Sequence, residues 1–282
     1  MKGMTQKKEE LLPKIMWLPL FFTLAANTLA YYGSRLLTGH RVHYNLTNAL
    51  DECIPFVPWT VSIYLGCYLF WIANYVIGCR QKRELAFRLL GADLIAKLVC
   101  LLCFLAFPTT NTRPLLEGTG FWMDAMRFLY GMDAADNLFP SIHCLTSTFC
   151  YLAVRENDQV PRWYRKTSLV ITAAICISTL TTRQHVLIDV AGGVGLAVGS
   201  YVFVEKSGFG AWYAQTIEKL YAKMRKWLRA EVNGRGLEGG RQNAKHFAGT
   251  SFDGLPANGH GQKESLLIKS QVFFEENSKN SI

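Results

Sequence analysis

Apolar residues in this chain gather into long runs separated by polar stretches, a pattern of membrane spans and not of one soluble core. A helix needs roughly 20 apolar residues to cross a bilayer. The runs at 15–37, 59–77, 89–107 and 186–204 have that character. Two further segments, 141–154 and 168–181, are short, and the first carries Ser and Thr. The flanks of 141–154 argue for a crossing, because it leads from a mostly uncharged segment into the basic loop 155–166. The pattern therefore predicts an all-α polytopic membrane protein with a bundle of six transmembrane helices. The first run follows Lys2, Lys7, Lys8 and Lys14 but lacks a small-residue cleavage site, so it reads as a span and not as a cleaved signal.

Charge sets the orientation. Lysines and arginines cluster before the first run, at Arg80–Arg88, at Arg155–Lys166 and at Lys219–Arg229. These are alternate connections, so the positive-inside rule puts both termini in the cytoplasm and loops 38–57, 108–139 and 182–185 outside. The net charge of +9 is then explained by membrane topology, and no nucleic-acid partner is implied. The expected location is the plasma membrane, or an endomembrane in a eukaryote. The chain divides into a cytoplasmic N-terminus (1–14), a six-helix membrane domain (15–205), a basic amphipathic helix on the inner leaflet (206–232) and a Gly-, Asn- and Ser-rich tail expected to be unstructured (233–282). In the last span, Ala191, Gly195 and Gly199 lie four apart and predict a small-residue face for close helix packing. Asp93 and Lys97, one turn apart in the third run, predict an ion pair within one helix or a snorkelling lysine. The eight cysteines lack metal-type spacing and read as small buried apolar residues.

Ionisable groups at the ends of spans are costly and point to function. Three clusters stand out: Arg113-Pro114, Pro140-Ser141-Ile142-His143, and Thr182 to Asp189. The topology puts all three on the outer face. His185 and Asp189 are spaced to share a helix face, so the carboxylate can fix the imidazole tautomer and leave the other nitrogen free to attack. His143 can protonate a leaving alkoxide. Arg113 offers a planar fork for phosphate oxygens, and Ser141 at a helix start suits anion binding. Together these groups make a phosphoryl-transfer site that needs no metal and no organic cofactor.

In that order, the three clusters resemble the type-2 phosphatidic acid phosphatase superfamily over residues 15–205. The resemblance implies a phosphohistidine intermediate, with His185 as nucleophile, Asp189 as its partner, His143 as acid–base group and Arg113 as phosphate ligand. Plain phosphatases of the family carry a lysine seven residues before the Arg-Pro arginine and an arginine six before the nucleophile. Here those positions hold Ala106 and Thr179, and Arg183 is the substitute phosphate ligand to consider. The Pro-Ser-Ile-His form is more similar to the inositol phosphorylceramide synthase and sphingomyelin synthase branch, which moves phospho-headgroups between lipids. The expected partners are a phospholipid or other lipid phosphate and the bilayer itself. A transporter or scaffold with structural histidines, or vanadate-dependent peroxidase chemistry, stays open at this point, as does the oligomeric state.

Overall fold

The computed structural model describes residues 11–248, with side chains described as far as Ala230. The chain is mostly helical. A first rod comprises α1 (Trp17–Thr28), a π-helical turn (Leu29–Gly33) and α2 (Ser34–Thr38). A loop carrying β1 (Tyr44–Asn45) and α3 (Ala49–Glu52) leads to α4 (Val61–Arg80), which Pro58 opens, and α5 (Arg83–Ala106) follows at once. After β2 (Thr109–Thr110), which pairs in parallel with β1, come α6 (Phe121–Met132), α7 (Ile142–Arg155), α8 (Arg162–Thr181) and α9 (Leu187–Ser207). Gly208 closes α9 in the left-handed conformation (φ 71°), the position glycine fills without a Cβ penalty, and α10 (Phe209–Ala248) begins there.

Among the described residues, four helical stretches are long and apolar enough to cross a membrane: Lys14–Thr38, Pro58–Arg80, Arg83–Ala106 and Leu187–Ser207. They mark an integral membrane protein. Leu36, Leu69, Ile72, Leu102 and Phe203 are exposed on them, which suits lipid and would be a liability in water.

The expected spans at 141–154 and 168–181 correspond to α7 and α8 and do not meet the same test. For α7 the reason is its position. It packs against α4, α5, α8 and α9, so no face of it needs to be compatible with lipid. Two of its buried hydroxyls are held internally: Thr148 donates to the Cys144 carbonyl at 2.7 Å, and Ser147 accepts from Trp71 Nε1 at 2.9 Å, whereas Thr146 Oγ1 has no partner among the described residues. With 14 residues, α7 is about 21 Å long, short of a hydrocarbon core of about 30 Å.

Asp93 and Lys97 form the expected pair, at 3.0 Å, wholly inside the bundle. Three other expectations need correction. The close-packing face of α9 is not Ala191, Gly195 and Gly199: the two glycines face open space. Gly192 and Gly193 make the approach instead, and a Cβ on Gly193 would run into the Ser141 carbonyl. The apolar face of α10 does not lie wholly on a leaflet, because Tyr213 and Ile217 are buried against Ala86, Phe87 and Leu90, while Leu220 and Met224 are exposed. The structure also divides into two compact units, residues up to Met224 and those from Arg225. Helix α10 continues past residue 233 to Ala248, where composition predicted unstructured chain; the rest of that tail, like the N-terminal segment 1–10, lies outside the described residues.

Gly193→Ala should destabilise the protein by about 1–3 kcal/mol, the usual cost of overpacking. Gly195→Ala should be neutral or stabilising, by up to about 1 kcal/mol, since it adds a helix-favouring methyl in open space. Thermal unfolding in detergent checks the contrast; equal effects would show that α9 does not approach α7 through Gly193.

Candidate active site

The site is built at the end of the bundle where α8 gives way to α9. Residues 182–186 form a tight turn in which Arg183 takes a left-handed conformation (φ 57°). Two successive amides, Gln184 and His185, both donate to the Thr179 carbonyl at 3.0 Å. Tyr130 donates to the Thr182 carbonyl and Asn111 to the Arg183 carbonyl, each at 2.9 Å. Arg183 itself turns away: its guanidinium donates to the carbonyls of Asp51, Glu52 and Ile54. It ties loop 49–54 to the turn, and its fork is already occupied. The same loop sends Asp51 to the Leu187 amide at 2.7 Å, satisfying an otherwise orphaned donor at the start of α9.

His185 and Asp189 come together, though not as neighbours on one helix face. His185 precedes the helix, and Asp189 lies in its first turn. Asp189 Oδ2 accepts the Val186 amide at 3.0 Å as a helix cap and His185 Nδ1 at 3.3 Å. The pairing is therefore a capping geometry, which rigidly orients the imidazole. Burial opposes protonation of His185, but the hydrogen bond and charge of Asp189 outweigh it and raise the ring above its ordinary value of 6.5.

His143 lies in the first turn of α7. Ser141 caps that helix by accepting the Cys144 amide at 3.3 Å, and its own amide donates to the Asp189 carbonyl at 3.0 Å. Ser141 is fully buried by these duties. The bond to Asp189 joins the starts of α7 and α9 and sets the His143 and His185 rings 6.0 Å apart, centroid to centroid. Both histidines line one cavity of about 460 Å³, walled by Tyr31, Tyr32, Tyr68 and Trp71 and floored by Asp133, Asp136 and Asn137. Ser141, Arg113 and Arg183 are not among its lining residues.

Arg113 stands behind that wall. It donates to the Asp133 carbonyl at 2.7 Å and to the Gln184 side chain, and it stacks on Tyr130 at 4.6 Å. It thereby joins the loop after α6 to the turn that carries His185. The residues that sequence reasoning missed are Asp133 and the tyrosines on it. Tyr31 and Tyr64 both donate to the Asp133 carboxylate, the latter at 2.8 Å. Burial alone would push this carboxyl up; the facing His143 and the two hydroxyls hold it below the usual carboxylate range. The available signal was acidic residues, Asp133 and Asp136, in a loop beside a phosphate-type motif.

The model of the PAP2 superfamily matches residues 39–203, more than half of the chain. The chain belongs to the PAP2 superfamily. No curated protein matches it. Membership gives this PAP2 protein a phosphatase or phosphotransferase type of function, with His143, His185 and Asp189 all inside the matched region.

Asp189→Asn retains the shape of the cap and removes its charge. Since the carboxylate is what offsets burial, the titration midpoint of His185 should fall in this PAP2 variant, from above 6.5 toward lower pH. A ring-nitrogen NMR titration in detergent reads the shift; an unchanged midpoint would mean that Asp189 does not set it.

Proposed function

We propose that this protein is a lipid-phosphate phosphatase or phosphotransferase that forms a phosphohistidine on His185 at the non-cytoplasmic face of a six-span bundle. The observation that carries the reading is the shared cavity of His143 and His185, with the second nitrogen of His185 held by Asp189. The orientation rests on alternate basic connections, which leave both termini in the cytoplasm. The lipid tails stay in the bilayer and the phosphate enters the cavity at its edge.

In this reading the free nitrogen of His185 attacks phosphorus, the bond to the leaving oxygen breaks, and His143 gives that oxygen a proton. Water or a lipid hydroxyl then surrenders its proton to His143 and takes the phosphoryl group from His185. Arg113 contributes by bracing Asp133 and Gln184 from behind the cavity wall. No step calls for a metal or organic cofactor.

A second reading, transfer of a phospho-headgroup to a lipid alcohol, is favoured by the cavity wall. Among the described residues its lining includes Asp133, Asp136, Asn27 and Asn137 but no lysine or arginine. Carboxylates and amides suit the hydroxyls of an acceptor better than they suit a bare phosphate. The positions where plain phosphatases carry cations hold Ala106 and Thr179, in keeping with this reading.

The purified protein should release phosphate from a lipid monophosphate, or pass the group to a labelled lipid alcohol. His185→Ala should reduce either activity to background, and His143→Ala should slow it about 10²–10⁴-fold. Full activity in His185→Ala would eliminate the phosphohistidine. Absence of both activities in the parent would favour a transporter or scaffold.

A further inference from the structure

The proposed reaction assigns Asp189 to His185 and leaves His143 with no partner of its own. The structure supplies one. Tyr64 in α4 places its hydroxyl 3.3 Å from His143 Nδ1 and 2.8 Å from Asp133 Oδ2. Its ring lies 4.4 Å from the imidazole, centroid to centroid, and is fully buried. One phenol oxygen thus stands between a carboxylate and a histidine.

The carboxylate decides which way the protons point. Two acceptors cannot face each other at 2.8 Å, so the Tyr64 hydroxyl donates to Asp133 and its oxygen accepts from His143 Nδ1–H. Tyr31 donates to the other Asp133 oxygen, and Arg113 anchors the Asp133 backbone. That leaves His143 Nε2, a buried atom with no hydrogen-bond partner, as the nitrogen that faces the chemistry. We propose that Tyr64 and Asp133 are positioning residues for His143, fixing its Nδ1–H tautomer and stabilising the imidazolium form so that Nε2 can pass a proton to the leaving oxygen. Each histidine then has a carboxylate at its Nδ1, Asp189 directly and Asp133 through a phenol. In this step the electron pair of the breaking P–O bond goes to the leaving oxygen, the proton comes from His143 Nε2, and the ring retains the proton shared with Tyr64.

This inference rests on the acid role given to His143 above. It predicts a dependence on leaving group that a merely structural tyrosine would not give. A long-chain alkyl phosphate expels a basic alkoxide that needs the proton, whereas 4-nitrophenyl phosphate expels a stable phenolate that does not. In Tyr64→Phe, kcat/KM for the alkyl ester should fall about ten- to a hundredfold, the value of one hydrogen bond to a charged group. The loss on the nitrophenyl ester should be much smaller. Tyr31→Phe is the comparison, since it strips the same kind of hydrogen bond from Asp133 without touching His143, and should move the ratio of the two substrates much less than Tyr64→Phe does. Equal loss on both esters in Tyr64→Phe would overturn the proposal.

A second measurement needs no activity. In protein labelled with ring-15N histidine, with His143 assigned through His143→Gln, the neutral His143 ring should carry its proton on Nδ1 in the parent and shift toward Nε2 in Tyr64→Phe. A parental ring protonated on Nε2 would overturn the relay. If the parent cleaves neither ester, the phosphatase reading fails, and the tautomer alone decides the inference.

Discussion

The hydrogen bond from the Ser141 amide to the Asp189 carbonyl, with Gly193 lying directly beneath Ser141, is the contact on which the site depends. It locks the beginning of α7 to the beginning of α9. His143 and His185 belong to chain segments about forty residues apart and share no secondary structure, and this clamp ties the two segments to each other directly. Both helices present their amino-terminal ends at the clamp, and the partial positive charge there favours an anion. This matters because, among the described residues, the cavity lining includes carboxylates and amides but no lysine or arginine.

The bilayer explains how such a polar site can be held inside an apolar chain. Outward faces of the long helices carry leucine, isoleucine and phenylalanine, while threonine, serine, asparagine and the Asp93–Lys97 pair lie within. Polar groups in a medium without water must find partners in the protein. Thr148 and Ser147 of α7 do so through the Cys144 carbonyl and Trp71, so a central helix surrounded by others is free to be both short and polar.

Around that clamp the supporting groups come from remote parts of the chain. Loop 49–54 braces the His185 turn through Arg183 and Asp51. The segment after α6 brings Asp133 under Tyr31 and Tyr64, which tie it to the first rod and to α4. Arg113 links the two through Gln184. In this arrangement the arginines serve to hold the loops in place, and the placement of the two histidines owes much to those loops.

The helical membrane class, the four long apolar helices, the Asp93–Lys97 pair and the identity of the residues with distinctive chemistry were legible in the amino-acid sequence, because hydropathy runs and short motifs are local properties. It also named His185 and Asp189 together, although the pairing arises from a helix cap and not from a shared helical face. It could not separate Arg113, Arg183 and Ser141, which bind backbone or cap a helix, from groups open to the cavity. Nor could it find Asp133 and Tyr64, whose meaning depends on a contact spanning 69 residues of chain. The small-residue face of α9 was misassigned for the same reason: spacing says which residues share a face, and only the packed neighbour decides which face is used.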